Sequence, residues 1–202
     1  MAQLGDFSPT KLKSVVSNRG GFATTEKYGV FFRDMPLGLN NSADLRDLSL
    51  MIEAVPLPTK SISGQDKFIY GTNYQMPYRQ AFTEIAMTFY CTNSMTEKTF
   101  FDRWLNRIID PITGDLKFYD NYTCNILIQK FDKTAASYNS RAVYEIELHK
   151  VWPSIVAEIQ LSHAGGSEIA KLPVTFQYKK WTESTSTVQG SHHTQGALPF
   201  GP

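Results

Sequence analysis

The stretch RAVYEIELHKVWPSIVAEIQLSH, residues 141–163, decides the fold. Its first half alternates, with Glu145, Glu147 and His149 on one side of an extended chain and apolar residues on the other. The run then meets Trp152-Pro153 and restarts with a different rhythm through Ile155, Val156 and Ile159. Proline has no N–H to give to a ladder, so the spacing predicts a strand over 141–151 that Trp152-Pro153 interrupts.

Working outward, the same period of two recurs. AFTEIAMTFYC (81–91) places Ile85, Met87 and Phe89 on one face, and Phe82, Glu84, Ala86, Thr88 and Tyr90 on the other. KYGVFFRD (27–34), LSLMIEAVPLP (48–58), DLKFYD (115–120), YTCNILIQKF (122–131) and LPVTFQYKKW (172–181) also read as strands, with a loop over 36–46. One helix stands out between them. Ser94 and Glu97 have the spacing of a capping box, and Phe100, Phe101, Trp104, Leu105 and Ile108 follow at helical intervals until Asp110-Pro111. Ser8-Pro9 opens a second, short helix carrying Leu12, Val15 and Val16, stopped by Gly20-Gly21.

Residues 59–80, TKSISGQDKFIYGTNYQMPYRQ, form a connection too long for a compact domain to leave unused. They read as a projecting hairpin that turns at Gly64-Gln65-Asp66 and exposes Phe68, Tyr70, Tyr74 and Tyr78. The sum is a mainly β, antiparallel domain over 26–181, preceded by an N-terminal arm (1–25) and followed by a Ser/Thr/Gly/Gln-rich tail (182–202). No βαβ rhythm supports a doubly wound sheet.

With 202 residues, 42% of them hydrophobic, the chain can bury a full core. Its formal charge of +1 argues against a broad grip on nucleic acid, and Lys179-Lys180 beside Trp181 reads as ordinary strand composition. No run approaches the roughly 20 apolar residues of a membrane helix, and the first residues lack the apolar centre of an export signal. Cys91 and Cys124 are therefore expected to be buried and reduced, and the glycosylation-like sites at Asn40 and Asn121 coincidental.

Chemistry is not signalled. His149, His163, His192 and His193 lack metal-ligand spacing, and no nucleophile elbow or phosphate loop occurs. Glu145 and Glu147 have a spacing open to acid–base work, but a solvated sheet face explains them more simply. We expect no enzyme, no cofactor and no metal.

The order of elements resembles the tail tube proteins of contractile-tailed, T-even-like bacteriophages. The matching stretches are EAVPLPTKSI (53–62), FTEIAMTFYCTNSMTEKTFFDRWLNRI (82–108), YEIELHKVWPSIVAEIQLSH (144–163) and IAKLPVTFQYKKW (169–181). This resemblance implies a sandwich- or barrel-like β fold with a flanking helix. It also implies hexameric rings that stack into a tube conducting phage DNA, in a virion tail assembled in the host cytoplasm. The implied partners are further copies of the chain, the tail sheath protein, a baseplate tube initiator, a tail terminator, the tape measure protein and DNA. On this reading Phe68, Tyr70, Tyr74 and Tyr78 contact the next ring, Glu84, Glu145 and Glu147 line the lumen, and Trp152-Pro153 forms a corner between sheets. A tube initiator of the same fold is the alternative, and an oligomeric binding module the one from another class.

Overall fold

The computed structural model describes residues 8–18, 21–39, 41–132, 142–161 and 168–183. His163, His192, His193, Asn40, the Gly165-Gly166 turn and the tail beyond Glu183 lie outside them. The elements in order are helix α1 (Pro9–Asn18), strand β1 (Tyr28–Arg33), α2 (Ser42–Leu50), β2 (Ile52–Ala54), β3 (Lys60–Ile69), β4 (Thr72–Phe82), β5 (Ile85–Tyr90), α3 (Thr96–Ile108), β6 (Cys124–Phe131), β7 (Ala142–Val156), β8 (Lys171–Gln177) and β9 (Lys180–Glu183).

The fold is mainly β, as the alternation predicts. Seven strands make one curled antiparallel sheet in the order β1-β6-β7-β8-β5-β2, with β9 also on β7, while β3 and β4 form a separate hairpin. Residues from both halves of the curl and from α3 share one core, including Val30, Ile126, Leu148, Phe89, Val174, Phe101 and Trp104. Helix α3 is amphipathic in the way its sequence indicates, with Phe101 and Trp104 fully buried and Ile108 nearly so. Trp104 donates its indole N–H to the Tyr122 carbonyl at 2.8 Å and packs against Phe101, Phe100 and Phe176.

Strand β7 corrects the reading of the opening stretch. It does not stop at Trp152-Pro153 but runs 15 residues to Val156, with Pro153 buried inside it. What changes there is its neighbour. Ile146–His149 pair with β9, and from Trp152 onward the strand pairs with β8. Proline is tolerated because a register shift falls between Pro153 and Ile155, where the ladder is already broken. A second irregularity precedes it, at Lys150, whose φ of 56° is left-handed and whose N–H is taken by Asn125 Oδ1 at 3.2 Å. Trp152 is half-buried and meets Tyr122 edge-on, while Ile155 is exposed.

Four other expectations give way. Residues 42–50 are helical, because Leu45 and Leu48 lie one turn apart and are both buried, leaving only Ile52–Ala54 as strand. The final strand is broken into β8 and β9 at Tyr178-Lys179. Residues 115–120 are not a strand; Leu116 makes one bridge to Ile109, and a 3-10 turn covers Tyr119–Asn121. The capping box does not form, since Met95 occupies the N-cap position and the Glu97 carboxylate instead accepts from the Thr92 N–H and hydroxyl, both at 3.0 Å.

Both cysteines are free, with Cys124 buried and Cys91 only half-buried. Burial pushes both thiols above their ordinary range, Cys124 much further than Cys91. The thiolate is the nucleophile, so the folded chain is expected to give slow alkylation at Cys91 and none at Cys124 near neutral pH. Iodoacetamide labelling followed by peptide mass mapping checks this, and fast labelling of Cys124 without denaturant contradicts it.

Candidate assembly surfaces

Residues 60–82 form the projecting hairpin that the sequence suggests, but its turn lies elsewhere. Ile69 pairs with Thr72, so Tyr70-Gly71 is the two-residue loop, and both residues have positive φ, 52° and 82°. That is the type I′ geometry whose twist matches a hairpin. Gly64 instead sits within β3 at a register shift, opposite the extra residue Tyr78 in β4. The hairpin's root is anchored: Phe82 packs 6.0 Å from Tyr178, and Lys60 lies over the Trp181 ring at 5.8 Å.

Beyond the root the described side chains of the hairpin are exposed. The four aromatics do not form one patch. Phe68 shares a face with Ile62, whereas Tyr74 shares the opposite face with Met76. Tyr70 stands fully exposed at the tip, and Tyr78 lies at the bulge with 75% of its surface open. Two faces and a tip all present apolar area to solvent.

A second surface is the side of the sheet that points away from the core. Across β1-β6-β7-β9, the register aligns Phe31, Leu127, Glu147 and Thr182 in one row, and Gly29, Gln129 and Glu145 in the next. Gln129 donates to Glu145 at 2.6 Å, and the His149 ring lies 2.7 Å from the Thr182 hydroxyl. Arg33 and Lys180 occupy the same face, opposite Asn125 and His149 respectively. Glu145 and Glu147 are thus brought together and matched by two cations on strands far away in sequence. Glu84 is not with them; it lies exposed on the other half of the sheet, where Gln177 donates to it at 2.9 Å. Near β1 the face turns apolar: a Cβ added to Gly29 would come within 3.0 Å of the Phe31 ring and 3.2 Å of the Phe131 ring.

This four-stranded portion also has two open edges. Among the described strands, β1 pairs only with β6, and β9 only with β7. Unpaired strand edges are ready templates for another chain. The rest of the surface offers little chemistry: among the described residues, no three His, Cys, Asp or Glu side chains are grouped as metal ligands. Nor is any described helix long and apolar enough to cross a membrane.

Comparison with known proteins agrees with the architecture. The family model for the phage tail tube protein matches residues 23–184. No curated protein matches the sequence. Among the solved structures that share the fold are two at 12% identity. One comes from the sheath–tube complex of an extracellular contractile injection system, PVC, in its extended state, with a TM-score of 0.56 over 88% of this chain and 98% of that one. The other comes from the tube-terminating cap of the anti-feeding prophage, with a TM-score of 0.58 over 92% of this chain and 100% of that one.

Proposed function

The chain belongs to the phage tail tube protein family, and from that premise we propose that it is the repeating subunit of a tail tube, forming hexameric rings that stack. The observation that carries the proposal is the hairpin. A two-stranded ribbon is marginal alone in water, and this one exposes apolar residues on both faces and at its tip. Such a ribbon is best stabilised by insertion between neighbours, so that Phe68 meets one copy while Tyr74 and Met76 meet another.

Lateral closure follows from the two open edges. Pairing β1 of one copy with β9 of the next makes the four-stranded portions continuous, and a closed ring leaves no free edge. The polar face of that portion then lines the lumen. There Glu145 and Glu147 balance Arg33 and Lys180, giving a wall with no excess of cations to hold DNA phosphates. Glu84 lies outside this wall unless the other half of the sheet also reaches the channel. Trp152-Pro153 marks where β7 leaves the channel-lining portion for the outer one. In the virion tail the tube would meet a sheath, a baseplate initiator and a terminator outside and at its ends, with the tape measure protein and DNA within. Its role is structural, without a catalytic step.

Negative-stain electron microscopy of the purified full-length chain tests the reading. Long hollow tubes of stacked rings are expected as concentration rises. Monomers, or discrete closed oligomers at every concentration, would overturn it.

A further inference from the structure

Helix α3 turns a second, different surface outward. Arg103, Asn106 and Arg107 on the helix, with Lys117 and Asn121 from the segment after it, line a pocket of about 420 Å³. Three cations and two amide residues converge, and among the described residues no carboxylate lines the pocket. Among the described residues none of these cations forms an ion pair, although Lys98 with Asp102, Lys150 with Asp120 and Lys171 with Glu53 all do. The adjoining cleft that Arg103 shares holds Asp44, Asp47 and Glu97, none of which pairs with it.

Arg103 and Arg107 are one helical turn apart, a spacing at which like charges repel. The negative end of the helix favours a cation in the last turn, which accounts for Arg107 but not for all three. Arg107 is also held in place: its Nε donates to the Asn121 carbonyl at 3.3 Å, and its guanidinium lies 3.3 Å from where a Cβ on Gly38 would stand. The segment that contributes Lys117 and Asn121 exposes Ile112 at 92% and Phe118 at 84%. A fixed guanidinium beside amide donors suits a carboxylate, and exposed apolar side chains alongside suit a protein.

We propose that this pocket is a docking site for an acidic segment of a partner protein, which presents two carboxylates to Arg103, Arg107 and Lys117 and rests apolar side chains on Ile112 and Phe118. Nucleic acid is the poorer fit. A polyphosphate needs a stripe of cations, whereas Asp102, Asp110 and Asp115 flank this single pocket in the chain, which has a net charge of only +1. The proposal does not depend on how copies of the chain assemble.

The test is fluorescence anisotropy of a labelled decaglutamate peptide titrated with the full-length chain, with unlabelled decathymidylate as competitor. Saturable binding is expected that weakens as salt is raised, and that falls at least about tenfold in Arg103→Glu/Arg107→Glu. Arg103→Gln/Arg107→Gln, checked by circular dichroism, gives the same direction should the charge reversal misfold. Absence of binding, or affinity unchanged in either variant, overturns the proposal. So does decathymidylate displacing the peptide at equal or lower concentration, which would assign the pocket to nucleic acid. Loss of self-assembly in the glutamine variant would assign it to contacts between copies, and overturns it equally.

Discussion

Replacing residues 64–78 by Asn-Gly is expected to abolish tube formation while leaving the subunit folded. Ser63 and Arg79 are paired across the hairpin, so the replacement closes a two-residue I′ turn directly above an intact register. Everything removed is exposed or lies at the tip, and the anchoring contacts of Phe82, Tyr178, Lys60 and Trp181 remain. Loss of exposed residues changes stability by about 0.5 kcal/mol or less, or about 2 °C in Tm for a chain of this size. Assembly should respond quite differently. If both faces of the ribbon are covered by neighbours, Phe68→Ser and Tyr74→Ser should each raise the critical concentration about five- to thirtyfold, because a central aromatic contact contributes about 1–2 kcal/mol. Sedimentation and electron microscopy read the outcome. Normal tubes from the truncated chain sink the role given to the hairpin; a defect from only one of the two serines sinks insertion between two neighbours.

The sequence was most legible where one periodicity governs one element. The apolar positions of α3 and the alternation of β5 survive in the structure because each element buries a single face against one core. Legibility fails where tertiary pairing decides. LSLMIEAV alternates well enough for a strand, yet Leu45 and Leu48 find the core only as a helix. The hairpin's extent was readable, but its turn was not: a positive φ at Tyr70 or Lys150 leaves no mark in composition, whereas Gly64 advertised a turn and serves as a bulge. Pro153 signals a stop only for a strand that keeps one neighbour, and β7 exchanges β9 for β8 at that point. Glu145 and Glu147 could be placed on one face by counting in twos. That Arg33 and Lys180 share it depends on register between strands distant in sequence, Arg33 with Asn125 and Lys180 with His149, which no local pattern encodes.

Trp104→Ala is expected to have the largest effect on stability, about 3–5 kcal/mol. Trp104 is fully buried at the point where the two halves of the sheet and α3 meet, among Phe100, Phe101 and Phe176, so its removal opens a cavity that rigid rings on several elements cannot close. The indole N–H also satisfies the buried Tyr122 carbonyl, which alanine leaves without that partner. Since a domain's total stability is about 5–15 kcal/mol, such a loss is a large share of it. Urea unfolding of dilute, unassembled protein, followed by far-ultraviolet circular dichroism, should show a lower midpoint at similar slope, and Tm should fall by about 6–20 °C. Phe68→Ala is the counterpart: an equally aromatic residue, 76% exposed, expected to leave the midpoint unmoved. A loss below about 1 kcal/mol for Trp104→Ala would mean that α3 is not part of the common core. The contrast separates two kinds of aromatic residue in one chain: those of α3 hold the subunit together, and those of the hairpin stay exposed, as the proposed contacts between copies require.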